Sequence, residues 1–160
     1  MQDILTCAMG LDVHRDIIVA CLVKGAVDAE PEAETRTFST LIPEMQKLRD
    51  WVIESECRNI AMESTGIYWQ PIYEMLESCF DGEISILVVN ARHMKNVPGR
   101  KTDMKDAQWI ATLLRAGLLK GSFIPDKAFR ELRHLTRYRK SVVHDITAQK
   151  NRIDKFLQSS

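Results

Sequence analysis

Residues 1–90 alternate between apolar and polar positions in the rhythm of a β-sheet. Between Cys7 and Val13 the odd-numbered side chains are apolar, so Asp12 projects from the opposite face of a predicted strand over 4–13. A tight connection at 14–16 and an apolar run at 17–23 predict a second strand that returns antiparallel to the first. A more polar third strand is expected near 35–39, followed by strands at 59–63 and 84–89.

Apolar residues at helical spacing predict three helices between and after these strands, over 41–52, 68–79 and 104–119. Ser39 or Thr40 is the expected N-cap of the first helix, and Pro43 and Pro71 are tolerated only in a first turn. The chain therefore runs through three strands, a helix, a strand, a helix, a strand and a helix. That order predicts an α/β fold, a mixed five-stranded sheet flanked by helices in the ribonuclease-H-like arrangement.

The C-terminal segment follows a different period. From Leu132 to Phe156, apolar and seam positions are separated alternately by three and four residues, which predicts one long helix with the narrow seam of a coiled coil or helical hairpin. Arg139 and Gln149 are polar residues on that seam, so they would lower the stability of a coiled coil and fix the alignment of its helices. An amphipathic helix packed on its own domain is the alternative interpretation. The expected organisation is a catalytic domain at 1–122 and a helical, coiled-coil-like linker at 123–160.

Charge is distributed unevenly, although the 22 basic and 22 acidic side chains cancel overall. Residues 1–90 hold 6 basic and 16 acidic side chains, residues 91–126 hold 7 and 3, and residues 127–160 hold 9 and 3. The acidic N-terminal part and the basic C-terminal part indicate a carboxylate-rich domain joined to a segment that contacts a polyanion. No apolar run is long enough for a membrane span and no signal peptide is evident, so we expect no membrane partner and a cytoplasmic location.

Four cysteines, Cys7, Cys21, Cys57 and Cys79, are scattered along the chain without a C-x-x-C pair, which argues against zinc ribbons and thioredoxin chemistry. Their apolar surroundings favour buried free thiols over a redox role. The sequence also contains neither of the glycine-rich loops that bind nucleotide phosphates.

Four acids stand out by their positions. Asp12 lies within the first strand, Glu63 ends the fourth strand, and Asp103 and Asp106 lie three residues apart at the start of a helix, on one face of its first turn. Each acid alone has a structural explanation. Asp12 could begin a turn and Glu63 could form an ion pair. Asp103 could cap its helix, and Asp106 could interact with the helix dipole. Together they would repel one another unless cations neutralised them. Two hard divalent ions meet that need, and oxygen ligands favour Mg²⁺ or Mn²⁺ over zinc.

These acids lie in segments that resemble a class of bacterial insertion-sequence transposases. The segments are Gly-Leu-Asp-Val-His at 10–14, Met-Glu-Ser-Thr-Gly-Ile-Tyr-Trp at 62–69, Val-Asn-Ala-Arg at 89–92 and Gly-Arg-Lys-Thr-Asp-Met-Lys-Asp-Ala at 99–107. Such transposases carry an N-terminal RuvC-like domain with a D-E-D-D set of acids. The resemblance therefore implies a catalytic and metal-binding tetrad of Asp12, Glu63, Asp103 and Asp106. Ser64 stands where the family typically has alanine.

The resemblance also implies partners. Full-length members of this class have a C-terminal domain that supplies a serine nucleophile, and they use a structured guide RNA that bridges donor and target DNA. The present chain is then expected to be the RuvC-like domain with part of its helical linker. Its own serines, including Ser64 and Ser141, are not candidates for that nucleophile.

Several further residues are candidates for supporting roles. His14 shares the strand face of Asp12 and is expected either to touch the scissile phosphate or to hydrogen-bond locally within a turn. Basic residues around the second acidic pair and on the tail are expected to contact phosphates, unless they form ordinary solvated faces. The supporting candidates are His14, Thr65, Gly66 and Tyr68, and the nucleic-acid-binding candidates are Arg92, Lys95, Arg100, Lys101, Lys105, Arg130, Arg133, Arg137, Arg139 and Lys140.

The leading hypothesis is a metal-dependent DNA recombinase or transposase domain that acts on phosphodiester bonds, is guided by RNA, and forms a homodimer or higher oligomer through the heptad helix. A stand-alone junction-resolving nuclease, with water as nucleophile, is the alternative within the enzymes. A non-catalytic module that binds RNA and DNA is the alternative of another class. A sugar-kinase or actin-like nucleotide-binding fold also begins with Gly-x-Asp strands, but it requires the missing phosphate loops and a longer chain.

Overall fold

Five strands form one mixed sheet in the order β3-β2-β1-β4-β5. The computed structural model describes residues 4–64, 66–90, 94 and 106–159. The strands are β1 Cys7–Val13, β2 Ile17–Lys24, β3 Glu32–Ser39, β4 Asn59–Glu63 and β5 Ser85–Val89. The helices are α1 Ile42–Glu54, α2 Trp69–Phe80, α3 Asp106–Arg115 and α4 Lys127–Gln158.

The sheet has an antiparallel half and a parallel half that meet at β1. Strands β1, β2 and β3 form an antiparallel meander, whereas β1 pairs with β4, and β4 with β5, in parallel. This mixed topology confirms the α/β prediction. Strand β3 begins at Glu32, earlier than predicted, because it pairs with β2 over its whole length although most of its side chains are exposed.

The two faces of β1 bury different helices. Met9 and Leu11 point to one face and are fully buried, whereas Ala8 and Gly10 point to the other. On that second face, Ala8 packs in a cluster with Ala61, Val89 and Ile110, which joins β1, β4, β5 and α3. A neighbouring cluster packs β2 against the start of α3. The predicted alternation is therefore confirmed, and helix α3 lies on the Asp12 face of the sheet.

Helix α1 begins differently from the prediction. Its N-cap is Leu41, which offers no side-chain hydrogen bond, so neither Ser39 nor Thr40 is the cap. The Thr40 hydroxyl instead donates to the carbonyl oxygen of Arg15 at 3.0 Å, which ties the end of β3 to the β1–β2 turn. Pro43 does lie in the first turn of α1, as predicted.

A buried cation fixes the far end of α3. The guanidinium of Arg115, 1% exposed, donates to the carbonyl oxygens of Leu5 at 2.9 Å, Gly25 at 3.1 Å and Ala26 at 2.6 Å. The backbone N–H groups of Ile4 and Leu5 in turn donate to the carbonyl oxygen of Arg115. The carboxyl end of α3 is therefore held at the amino end of β1, so the helix runs antiparallel to that strand.

The chain divides into two units, Met1–Ser122 and Phe123–Ser160. The second unit is dominated by α4, whose N-cap Asp126 accepts a hydrogen bond from the backbone N–H of Phe129 at 3.0 Å. Of the helices in the described part of the chain, none combines the length and the apolar character needed to cross a bilayer.

Candidate active site

Two predicted acids lie at the carboxyl ends of adjacent parallel strands. Asp12 is the penultimate residue of β1, and Glu63 is the last residue of β4. The observed register pairs Gly10 with Ala61 and Leu11 with Met62, so the next position along the two strands places Asp12 beside Glu63. Neighbouring strands lie about 4.8 Å apart, and in-register parallel partners project to the same face. The fold therefore brings together two carboxylates that are far apart in the sequence.

Helix α3 brings a third acid to the same end of the sheet. A Cβ atom added to Gly10 would lie 2.1 Å from the carbonyl oxygen of Ala107 and 2.5 Å from the backbone nitrogen of Ala111. The first turns of α3 thus press directly on β1, two residues before Asp12. Asp106 is the first residue of α3 and precedes Ala107. Because α3 runs antiparallel to β1, its amino end, with Asp106, is at the carboxyl end of that strand.

A short hydrogen-bonded contact links His14 to the site. The Nε2 atom of His14 lies 3.1 Å from Oδ2 of Asp12, with the histidine side chain 56% exposed and the aspartate side chain 15% exposed. The backbone N–H of His14 also donates to the carbonyl oxygen of Ile17 at 2.9 Å, within the β1–β2 turn. The local hydrogen bond expected for His14 is therefore present, and it orients the carboxylate of Asp12 from the solvent side.

The turn after β4 has the backbone freedom that the sequence indicated. Gly66 has φ of 61°, a left-handed conformation that glycine adopts without strain, and an added Cβ would lie 3.5 Å from the Tyr68 ring. Tyr68 is 41% exposed and occupies the N-cap position of α2. Trp69 makes an edge-to-face contact with Tyr73, with ring centroids 5.8 Å apart.

Part of the predicted site lies outside the described residues. This holds for Thr65, for the fourth acid and for the basic candidates that precede α3, namely Arg92, Lys95, Arg100, Lys101, Asp103 and Lys105. Within the described ranges, no three His, Cys, Asp or Glu side chains are assembled closely enough to hold a metal ion. Asp12, Glu63 and Asp106 nevertheless share one end of the sheet, by the register of β1 and β4 and by the direction of α3.

The basic tail candidates have two different environments. Arg133, Arg137, Arg139 and Lys140 are exposed on α4. Arg130 is only 8% exposed, and its Nη1 atom donates to the carbonyl oxygen of Pro125 at 2.7 Å. The guanidinium of Arg130 is therefore turned toward its own chain at the start of α4, unlike the four exposed cations, and its contact with nucleic acid stays a prediction.

The predicted apolar seam is also exposed on α4. Leu132 is 55% exposed, Leu135 66%, Ile146 51% and Ile153 59%. Together with Arg139, Val142, Gln149 and Phe156, these side chains recur at three- and four-residue steps, so they form a stripe along one side of the helix. A stripe of this kind is what a second helix packs against in a coiled coil.

One contact was not anticipated from the sequence. The side chains of Cys57 and Cys7 lie close enough to shift each other's pKa, although the two residues are separated by β2, β3 and α1. Cys79 is exposed and Cys7 is half-buried, so only Cys21 and Cys57 meet the expectation of buried thiols. No sequence signal marks the Cys7–Cys57 pair, since it depends on how β1 and β4 pair.

Comparison with known proteins yields a family match and structural neighbours. The family model DEDD_Tnp_IS110, described as a transposase, matches residues 9–160. The structure of Thermus thermophilus RuvC is similar, with a TM-score of 0.50 and 12% identity over 72% of this chain and 99% of that one. T. thermophilus RuvC in complex with a Holliday junction substrate is similar too, with a TM-score of 0.50 and 11% identity over 74% of this chain and 100% of that one. No curated protein sequence matched the chain. These neighbours confirm the RuvC-like, ribonuclease-H-like fold.

Proposed function

The chain belongs to the family of IS110-type DEDD transposases, and on that premise we propose that it is the metal-dependent catalytic domain of a DNA recombinase. In this proposal the domain acts on phosphodiester bonds during transposition of an insertion sequence, in the bacterial cytoplasm. The alternative within the same chemistry is a stand-alone nuclease that resolves DNA junctions. The two proposals share one site and differ in the nucleophile.

The observation that carries the proposal is the position of Asp12 beside Glu63, at the end of the sheet where α3 begins. Carboxylate oxygens on one face of adjacent strands are hard ligands that suit Mg²⁺ or Mn²⁺. Asp106 at the start of α3 is proposed as the third carboxylate ligand, and Asp103 as the fourth. The ions, when bound, would stabilise negative charge on the attacked phosphodiester.

The residues around the acids have distinct proposed roles. His14 holds the Asp12 carboxylate through its 3.1 Å contact, which limits the carboxylate's rotation. Its 56% exposed ring is also positioned to meet a phosphate that approaches the site from solvent. The left-handed turn at Gly66 lets the backbone after Glu63 approach a ligand closely, since no side chain blocks it. The exposed Tyr68 ring is proposed to stack on a base.

Nucleic acid is the proposed partner of both units. One of the similar RuvC structures is a complex with a Holliday junction substrate, and we propose branched DNA as the substrate of the present carboxylate site. We propose that a structured guide RNA contacts the exposed cations of α4, since these are separated in sequence from the acidic domain. The contacts would be to phosphates and would position the nucleic acid without reading its sequence.

Two further elements complete the proposed recombinase. The exposed seam of α4 is proposed to pair with the same helix of a second copy, which would bury its apolar stripe and form a dimer. The nucleophile is proposed to be a serine on a C-terminal domain beyond residue 160, so the carboxylate site assists that serine. The residues of this chain would then bind and position the DNA, but would not complete strand exchange alone.

Manganese binding tests the carboxylate site directly. At a concentration about 100 times its dissociation constant, Mn²⁺ should stabilise the native protein by about 2.7 kcal/mol, which raises the melting temperature by about 5–10 °C. Asp12→Asn should abolish that rise. Asp16→Asn is the matched control, since Asp16 lies in the nearby turn with its side chain 83% exposed. An equal rise in native protein and Asp12→Asn would contradict the proposed site.

Cleavage of DNA separates the recombinase from the stand-alone nuclease. We expect the chain to bind a labelled four-way junction in Mn²⁺ without cutting it at an appreciable rate, because the serine is supplied from elsewhere. Multiple-turnover cleavage that Asp12→Asn abolishes would instead favour the nuclease. Cleavage that Asp12→Asn leaves unchanged would indicate contamination or a different site and would contradict both proposals.

A further inference from the structure

Two cysteines meet at the end of β1 opposite the carboxylate site. Cys7 is the first residue of β1, and Cys57 lies in the connection between α1 and β4. The observed pairing of Met9 with Ile60, followed back by two residues, places Cys7 beside Arg58. Cys57 is thus one residue from the position directly opposite Cys7. At a strand spacing of about 4.8 Å, this arrangement lies within the range of Cα separations that disulfide bonds span.

Hydrogen bonds hold the two cysteines in this arrangement. The Cys57 thiol donates to the carbonyl oxygen of Asn59 at 3.3 Å. The side-chain amide of Asn59 donates in turn to the carbonyl oxygen of Cys7 at 3.4 Å. The amino ends of β1 and β4 are therefore joined at the two cysteines through Asn59.

The surroundings also make the pair reactive. The hydrogen bond from Cys57 lowers the pKa of Cys7 to about 7, and the positive charges of Lys24 and Arg115 act in the same direction. Hydrogen bonding to Cys7 and burial raise the pKa of Cys57, which therefore keeps its proton. A thiolate beside a protonated thiol is the arrangement in which one sulfur attacks an oxidant and the other resolves the product.

Cys7 is the member of the pair that a small oxidant reaches from solvent. Cys7 is half-buried, so it is not sealed within the core. Cys57 lines a groove of about 340 Å³ between the ends of α1 and α2, together with Arg58 and Phe80. Cys57 is itself 1% exposed, so the oxidant meets Cys7 first. Of the other two cysteines, Cys21 is buried in the cluster that packs β2 against α3, and Cys79 is exposed at the end of α2.

We propose that Cys7 and Cys57 are a redox modification site, at which a peroxide forms a reversible disulfide bond that ties β1 to the start of β4. The Cys7 thiolate attacks one peroxide oxygen, the O–O bond breaks and hydroxide or alkoxide leaves, which gives a sulfenic acid. The Cys57 sulfur then attacks the Cys7 sulfur, the S–O bond breaks, and water leaves with the proton of Cys57. The peroxide gains the two electrons that the thiols lose.

Peptide mapping of the full chain tests this proposal. Trypsin places each cysteine on its own peptide, with Cys7 on 1–15, Cys21 on 16–24, Cys57 on 50–58 and Cys79 on 59–92. After treatment with hydrogen peroxide, alkylation under denaturing conditions should label two cysteines where the untreated protein has four. Peptides 1–15 and 50–58 should appear as one linked species, lighter than their sum by about 2 Da. Dithiothreitol should restore all four labels.

Variants separate the intramolecular bond from other oxidation products. Cys79→Ser is the matched control and should leave the 1–15/50–58 link unchanged. Cys57→Ala should abolish the link and leave Cys7 to accumulate higher oxidation states. The proposal is overturned if the oxidised native protein keeps four alkylatable cysteines, if its link involves Cys79, or if Cys7 gains oxygen without joining Cys57.

Discussion

The close approach of α3 to β1 makes Gly10→Ala a demanding test of the site's architecture. The added methyl group would lie 2.1 Å from the carbonyl oxygen of Ala107 and 2.5 Å from the nitrogen of Ala111. Both distances are shorter than the ordinary contact distance of about 3.5 Å by about 1 Å or more. Both opposing atoms are backbone atoms, so no side-chain rotation relieves the overlap. Helix α3 must therefore move outward along with Asp106.

The size of the effect follows from the strand conformation. Gly10 pairs with Cys21 and Ala61 within regular ladders, so alanine is compatible with the backbone there and the clash alone sets the cost. Overpacking costs about 1–3 kcal/mol, and we expect a value near 3 kcal/mol because backbone must shift. For a chain of this size, that corresponds to a fall in melting temperature of about 6–12 °C.

Thermal and urea denaturation followed by tryptophan fluorescence would measure this effect, since Trp109 is buried on α3. Gly82→Ala is the matched control, because its added Cβ meets no atom within 4 Å and its only penalty comes from φ of 85°, about 1 kcal/mol. We further expect the Mn²⁺-induced rise in melting temperature to shrink in Gly10→Ala. A melting temperature within 2 °C of native, on the order of 0.5 kcal/mol, would refute the packing of α3 against Gly10.

Three further predictions concern the described residues. Arg115→Met removes the donors to three carbonyl groups and should lower the free energy of unfolding by about 3 kcal/mol in urea titrations; a loss below about 1 kcal/mol would contradict the anchoring role. Iodoacetamide should alkylate Cys7 at a rate that rises with pH through a midpoint near 7, since only the thiolate reacts. Cys57→Ala should move that midpoint upward, toward 9.0, and an unchanged midpoint would exclude the hydrogen bond as its cause. Charge reversal of Arg133 and Arg137 should weaken RNA binding and reduce the slope of log K against log salt by about 2, whereas an unchanged slope would place the contact elsewhere.

The redox proposal and the metal site are experimentally independent, because the cysteines and the acids lie at opposite ends of β1 and β4. Cys57→Ala keeps all of the proposed metal-binding acids, so its Mn²⁺-induced stabilisation should match that of the native protein. Asp12→Asn keeps both Cys7 and Cys57, so it should still form the linked peptides. Failure of one proposal therefore leaves the other testable.

Local pattern was sufficient to predict the strands and helices and their order. Strand alternation placed Asp12 on the face opposite the apolar row, and the predicted strand at 59–63 placed Glu63 at its end. These predictions succeeded because side-chain direction depends on the backbone period of a few neighbouring residues. Local pattern failed at the start of β3, which pairing with β2 extends back to Glu32, and at the first-helix cap, since Thr40 hydrogen-bonds to a distant turn instead of capping α1.

Only the tertiary structure decided which distant residues meet. The parallel register of β1 and β4 places Asp12 beside Glu63 and, at the other end, Cys7 near Cys57, and strand register is a relation between segments that neither segment encodes alone. The close approach of α3 explains why Gly10 has no side chain, and burial turned Arg130 from an apparent surface cation into a local anchor. The physical reason is that packing and pairing depend on contacts across the sheet, whereas periodicity depends only on neighbours along the chain.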